Sequence, residues 1–174
     1  MTKKYILTGG PGTGKSSIIL ALEQKGEHTI PEAATDVIRY QQALGNKEPW
    51  TNPEFQDWIL KLQLQREKNI PANIGRVFID RGILDGAAYY IKDRKEYTPK
   101  LEQAIKEMEY EKKVFLVENF RRSCEKTETR REDLEDSLQL GRIIERLYRE
   151  KGYEIIGAGP GTVQERMERI LRKI

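Results

Sequence analysis

Apolar residues fall in short clusters along this chain, and the spacing within each cluster predicts an element. Tyr5-Ile6-Leu7-Thr8 is short and apolar enough for a buried strand. Ile18, Ile19 and Leu22 then recur at helical spacing up to Lys25-Gly26, a basic residue followed by a helix stop. His28-Thr29-Ile30 reads as a strand ending at Pro31-Glu32, with His28 an exposed polar residue at its entry. A helix from about Ala34 to Leu44 carries Val37 and Ile38 and stops near Gly45. A loop follows through Pro53, in which Trp50 reads as a plug over the core rather than a substrate-stacking ring.

From Glu54 to about Asn69 the apolar stripe Phe55, Trp58, Ile59, Leu62 and Leu64 predicts a helix, broken by Pro71 and Gly75. Val77-Phe78-Ile79 is a third strand and Val114-Phe115-Leu116-Val117 a fourth. Between them lie a helix from Ile83 to about Ile91 and another opened by Pro99, whose stripe is Leu101, Ile105 and Met108. A long helix runs from Leu134 to about Lys151, with Leu134, Leu138, Ile144, Leu147 and Tyr148 on one side. After Gly152 come a last strand at Tyr153–Ile156 and a helix bearing Val163, Met167, Ile170, Leu171 and Ile174. Five strands alternating with helices make an α/β chain, its sheet parallel and covered by helices on both faces. No repeat and no linker interrupts it, so residues 1–174 form a single domain.

The chemistry begins between the first strand and the first helix. Gly9-Gly10-Pro11-Gly12-Thr13-Gly14-Lys15-Ser16, followed by Ser17, fits the phosphate-binding pattern G-x-x-x-x-G-K-[S/T] in its required strand–loop–helix context. Glycines let the backbone turn its N–H groups inward as an anion nest, and the helix N-terminus adds its positive dipole end. Lys15 reaches the β- and γ-phosphates, and the Ser16 hydroxyl is the expected magnesium ligand. The loop predicts binding of a nucleoside triphosphate, ATP or GTP.

The third strand ends in Asp80-Arg81-Gly82. A buried parallel strand that delivers Asp80 beside the phosphate loop supplies a second magnesium ligand. Arg81 stands where many ATP-driven motors carry a water-polarising glutamate, which favours an acceptor other than water. Glu32 lies directly beyond the second strand, where α/β proteins place ligand-facing groups.

The segment 120–133 is dense in charge and lacks apolar periodicity until Leu134. Arg121, Arg122, Arg130 and Arg131 suit a lid over phosphates; a solvated helix N-terminus with internal salt bridges is the alternative. The turn Gly157–Gly161 lacks the Gly-Lys-Ser ending. It either flanks the nucleotide base or is only a tight turn.

Composition narrows the partners. Of 174 residues, 31 are basic and 28 acidic, a net charge of +3, so nothing calls for an obligatory nucleic-acid partner. Cys124 is the single cysteine, which leaves no intrachain disulfide and no cysteine-rich metal site. No apolar run nears the ~20 residues of a membrane span. A cytoplasmic protein is the simplest reading.

Taken together, Gly9–Ser16, Glu32-Ala33-Ala34, Phe78–Gly82, Arg130-Arg131-Glu132-Asp133, Gly152–Ile156 and Val163-Gln164-Glu165-Arg166 resemble a known family. It is the small AAA-type P-loop ATPase family grouped with the nicotinamide riboside kinase domain of the bacterial NAD regulator. More broadly the chain resembles nucleoside and nucleotide kinases, and the Asp80-Arg81 pair is most similar to deoxynucleoside and thymidylate kinases. The resemblance implies a three-layer P-loop NTPase fold with strand order 2-3-1-4-5 and a lid before the long helix. It implies that Lys15 and Ser16 bind phosphate and magnesium, and that Glu32 or Asp80 acts on an acceptor hydroxyl. Arg81 would then meet substrate, while Arg130 and Arg131 close over the γ-phosphate.

The leading expectation is an ATP- and magnesium-dependent phosphotransferase whose small acceptor is a nucleoside or nucleotide. The alternative is a stand-alone NTPase or nucleotide-dependent switch without an acceptor. Neither a D-x-x-G nor an N-K-x-D motif supports a conventional G-protein. A nucleic-acid 5′-end kinase is disfavoured by the balanced charge.

Overall fold

The computed structural model describes residues 2–118 and 134–174. Five strands are seen: β1 (Lys3–Thr8), β2 (His28–Ile30), β3 (Arg76–Asp80), β4 (Lys113–Leu116) and β5 (Glu154–Gly157). They form one parallel sheet in the order β2-β3-β1-β4-β5. This is the three-layer α/β P-loop kinase-like fold that the resemblance implied.

Seven α-helices connect and cover the strands among the described residues. They are α1 (Lys15–Gln24), α2 (Ala33–Ala43), α3 (Phe55–Lys68), α4 (Ile83–Lys92), α5 (Pro99–Glu107), α6 (Leu134–Glu150) and α7 (Val163–Leu171).

Strand side chains alternate between the two faces, so each strand feeds two cores. Tyr5, Leu7, Phe78, Phe115 and Val117 pack with Ile18, Ile19 and Leu22 of α1 and Met167 and Ile170 of α7. Ile6, Val77, Ile79 and Val114 pack on the other face with α3, α4, α5 and α6. A third cluster ties Val37 and Ile38 of α2 to Phe55, with Trp50 packed against it as the expected plug. Caps sharpen two helix starts. Thr98 accepts the Leu101 N–H at 3.3 Å ahead of Pro99, and Thr162 with Glu165 forms a reciprocal capping box on α7.

Three apolar stripes differ from their sequence reading; in α7 Val163 is exposed and Arg166 is buried. In α3 the buried face is Phe55, Leu60, Gln63 and Glu67, and Leu64 is exposed. Polar side chains hold inward positions because partners wait for them: Tyr110 Oη donates to Glu67 Oε1 at 2.8 Å and Gln63 Nε2 donates to the Arg81 carbonyl at 3.1 Å. In α6, Leu138 is exposed and Ser137 and Leu140 point inward. Ser137 faces the phosphate loop, close enough that a Cβ on Gly10 would lie 2.6 Å from its Oγ.

The β1–β3 register sets Leu7 beside Asp80, and β1–β4 sets Thr8 beside Leu116. The phosphate loop, Asp80-Arg81 and Glu118 therefore all emerge at the carboxyl edge of the sheet. That edge is where open α/β sheets bind ligands.

Candidate active site

The phosphate loop is held from three sides. Ser137 Oγ of α6 donates to the Pro11 carbonyl at 2.6 Å, Arg81 Nη1 to the Gly9 carbonyl at 3.1 Å, and Arg166 Nη1 of α7 to the Thr13 carbonyl at 3.1 Å. A Cβ on Gly9 would lie 2.4 Å from the Val117 carbonyl oxygen, and one on Gly10 would lie 2.2 Å from that of Ser137. Both neighbours are backbone, so only glycine fits.

Lys15 is buried. Its Nζ donates to the Gly10 carbonyl at 2.8 Å, the Gly9 carbonyl at 3.1 Å and Thr13 Oγ1 at 3.4 Å. Burial, reinforced by the neighbouring Arg81 charge, lowers its ammonium from 10.5 to about 8.

Asp80 and Glu32 lie on the same cleft but in different company. Ser16 Oγ donates to Asp80 Oδ2 at 2.7 Å, whereas Asp80 Oδ1 is buried with no hydrogen-bond partner among the described residues. Burial raises the Asp80 carboxyl; Lys15 opposes that shift and Glu32 adds to it. Glu32 takes Arg81 Nε at 2.5 Å on Oε1 and the Thr35 hydroxyl at 2.9 Å on Oε2. Burial would raise Glu32 as well, but Arg81 and Lys15 outweigh it and hold the carboxyl below its ordinary value. Glu32 is therefore kept ionised. A hydroxyl beside a carboxylate with a spare buried oxygen is a donor set that fits a hard cation such as magnesium, which takes few protein ligands.

Arg81 is the hub. Burial works against its charge, yet Glu32 first, then Tyr89, Asp85 and Asp80, raise it well above its ordinary value. Its backbone is left-handed, with φ 72°. Three groups hold it there: its N–H on the Leu7 carbonyl at 2.9 Å, its carbonyl on Gln63, and its guanidinium on Glu32, Gly9 and Asp85. Asp85 is itself buried. It accepts from Thr8 Oγ1 at 2.7 Å, Tyr148 Oη at 3.0 Å, the Gly82 N–H at 3.1 Å and Arg81 Nη1 at 3.2 Å.

These groups line one cleft of about 690 Å³. Its lining takes in Pro11–Ser17 with Gly161, Thr162, Val163 and Arg166. It also takes in Ile38, Phe55, Gln56, Ile59, Gln63, Gly86 and Tyr89, together with Glu32, Asp80, Arg81 and Asp85. All the site residues expected from the sequence line this cleft except Gly9 and Gly10, the first residues of the loop, and Arg130 and Arg131. The last two, with the expected lid 120–133, lie outside the described residues.

Sequence reasoning missed Gln63, Asp85, Tyr89 and Arg166. Asp85 carried a signal: it is the acidic residue in the first turn of α4, three residues after Gly82 and four after Arg81. Gln63 carried none, because a lone glutamine in a helix reads as surface. The Gly157–Gly161 turn, left open between two readings, proves to border the cleft through Gly161.

The profile of a family described as AAA domain matches residues 4–166. No match is found among curated proteins. Among solved structures, deoxyadenosine kinase from M. mycoides with bound dATP superposes with a TM-score of 0.67 at 16 % identity, covering 98 % of each chain. NadR protein in complex with NAD and AMP-PNP gives 0.71 at 15 % identity, over 98 % of this chain and 49 % of the other. Thymidylate kinase from Candida albicans gives 0.61 at 10 % identity, over 99 % and 90 %. At such identities the likeness is one of fold. No helix among the described residues is long and apolar enough to cross a membrane.

Proposed function

Because the chain belongs to this AAA domain family, with a kinase-like P-loop fold, we propose that it is an ATP- and magnesium-dependent phosphotransferase acting on a small hydroxyl-bearing acceptor, of nucleoside or nucleotide type. The observation that carries the reading is the Glu32–Arg81 ion pair on a cleft that the phosphate loop shares with Ile38, Phe55, Ile59 and Tyr89. A hydrolase needs room for water only; a cleft of about 690 Å³ with these apolar side chains in its lining suits an organic acceptor as well.

In this reading the loop N–H groups and Lys15 cradle the β- and γ-phosphates of ATP. Ser16 and Asp80 would hold magnesium, which when bound neutralises charge on the transferring phosphoryl group. Glu32 orients the acceptor hydroxyl and takes its proton as the oxygen bonds to the γ-phosphorus and the bond to ADP breaks. Glu32 suits that task better than Asp80, since it is held ionised while Asp80 is committed to Ser16. Arg81 fixes the Glu32 carboxylate and sets its charge beside the transferring group. Arg130 and Arg131 are proposed to close over the γ-phosphate.

The test is transfer from labelled ATP and magnesium to a panel of nucleosides, nucleotides and vitamin ribosides, with a water-only control. Transfer well above hydrolysis, abolished in Lys15→Ala, is expected. Hydrolysis that no acceptor stimulates would replace the kinase by an NTPase or switch.

A further inference from the structure

Gln63 offers the cleft a hydrogen-bond acceptor and no donor, and its neighbours fix that choice. Its Nε2 donates to the Arg81 carbonyl at 3.1 Å and to Glu67 Oε1 at 3.4 Å. A carbonyl can only accept. Glu67 Oε1 also accepts from Tyr110 Oη at 2.8 Å, and Glu67 Oε2 from Lys4 Nζ at 3.4 Å, so this carboxylate is surrounded by donors. Turning the Gln63 amide over would press its oxygen against two acceptor oxygens with no proton between them. Both N–H bonds are thus committed inside the protein. The amide oxygen has no hydrogen-bond partner among the described residues and is not sealed in the core. Gln63 lines the cleft with Phe55, Ile59 and Tyr89.

We infer that the acceptor carries a planar ring bearing an amino or carboxamide N–H₂ group, which donates to Gln63 Oε1 while Phe55 and Ile59 cover its apolar surface. The residue α3 turns into the cleft then works as a specificity filter, and the Arg81 carbonyl, with Glu67, sets its polarity. This inference rests on the kinase reading for the acceptor's hydroxyl but not for the contact itself. An analogue without the amino group covers the Gln63 oxygen and leaves it unpaired, and one with a carboxylate sets an acceptor oxygen against it. Either should lower affinity by roughly 10- to 100-fold.

The experiment pairs adenosine with purine riboside, cytidine with pyrimidin-2-one riboside, and nicotinamide riboside with nicotinic acid riboside. For each, equilibrium binding by calorimetry and transfer from ATP are measured side by side. The expected result is a preference for the amino- or carboxamide-bearing member in at least one pair, in both binding and kcat/KM. The three pairs separate an amino-purine, an amino-pyrimidine and a carboxamide source. Gln63→Met should bring that ratio close to one by weakening the preferred ligand. Glu67→Gln leaves the Arg81 carbonyl as an acceptor for the Gln63 N–H₂, so the ratio should persist while thermal melting shows the chain still folded. Equal behaviour within every pair, including failure of both members to bind, overturns the inference, as does a ratio that survives Gln63→Met. Selective binding without transfer would instead sink the kinase reading and leave this one standing. Transfer without selectivity does the reverse.

Discussion

Ser16 and Asp80, 64 residues apart in sequence, meet through a 2.7 Å hydrogen bond that occupies one carboxylate oxygen and leaves the other buried and unpartnered. An unsatisfied buried oxygen costs about 1–3 kcal/mol, so its persistence fits a group reserved for a ligand. Asp80→Asn should therefore raise the magnesium concentration needed for half-maximal turnover by about 10-fold or more, in line with the loss of a metal-orienting carboxylate. ATP affinity measured without metal should change little. A magnesium titration of turnover in the two proteins checks this, and an unchanged midpoint would remove Asp80 from the metal site.

Glu32→Gln keeps the size of the side chain and a hydrogen-bond acceptor for Arg81. If Glu32 takes the acceptor proton, transfer should slow by about 10²- to 10⁴-fold while ATP binding stays within a few-fold of wild type. Single-turnover transfer and nucleotide titration separate the two effects. A wild-type transfer rate would shift the role to another group.

Lys15 makes a pH prediction for the ligand-free protein. Its folded pKa of about 8 lies below the 10.5 of the unfolded chain, so between these values the unfolded state binds more protons. Stability contributed by this site therefore rises with pH across that window, as the charge that burial penalises is lost. Relative to Lys15→Met, the wild type should gain stability between pH 8 and 10.5, by up to about 3 kcal/mol. Denaturant unfolding of both proteins across that range, in metal-free buffer, gives the difference. A flat difference would mean that Lys15 is not held near pKa 8. Buried Tyr110 and Tyr148, both pushed up by burial, contribute equally to the two proteins and cancel.

Arg166 joins α7 to the phosphate loop through the Thr13 carbonyl and to the end of β4 through the Glu118 carbonyl, at 3.1 and 3.2 Å. Arg166→Met retains the buried stem and removes both contacts. The KM for ATP should rise about 10-fold, the loss of one charge-assisted hydrogen bond, with the KM for the acceptor unchanged. Equal effects on both substrates would mark a general loss of packing instead.

Tyr148 is fully buried, and its hydroxyl donates to Asp85 Oδ2 at 3.0 Å. Tyr148→Phe leaves Asp85 with Thr8, Arg81 and the Gly82 N–H, so the carboxylate stays held but loses one donor. Urea unfolding should report a loss of about 1–2 kcal/mol with an unchanged m-value.

Local sequence determined the phosphate loop, because an anion nest is made by consecutive residues and its pattern is contiguous from Gly9 to Ser16. It also determined the five strands and the helices between them, because burial on a parallel sheet selects short apolar runs that a reader can see. Asp80 and Glu32 were visible as carboxylates at strand ends. Their division of labour was not, because it depends on Ser16 of α1 reaching Asp80 and on Arg81, beyond β3, reaching Glu32. The tertiary structure decided the rest. It turned Gln63 and Glu67 inward where Leu64 would have suited the stripe, because Tyr110 and the Arg81 carbonyl supply partners that no local pattern encodes. It brought Arg166, from the final helix, onto the carbonyl of Thr13 in the first loop. Polar contacts between distant segments depend on how helices are seated on the sheet, and that seating is settled only when the whole core closes.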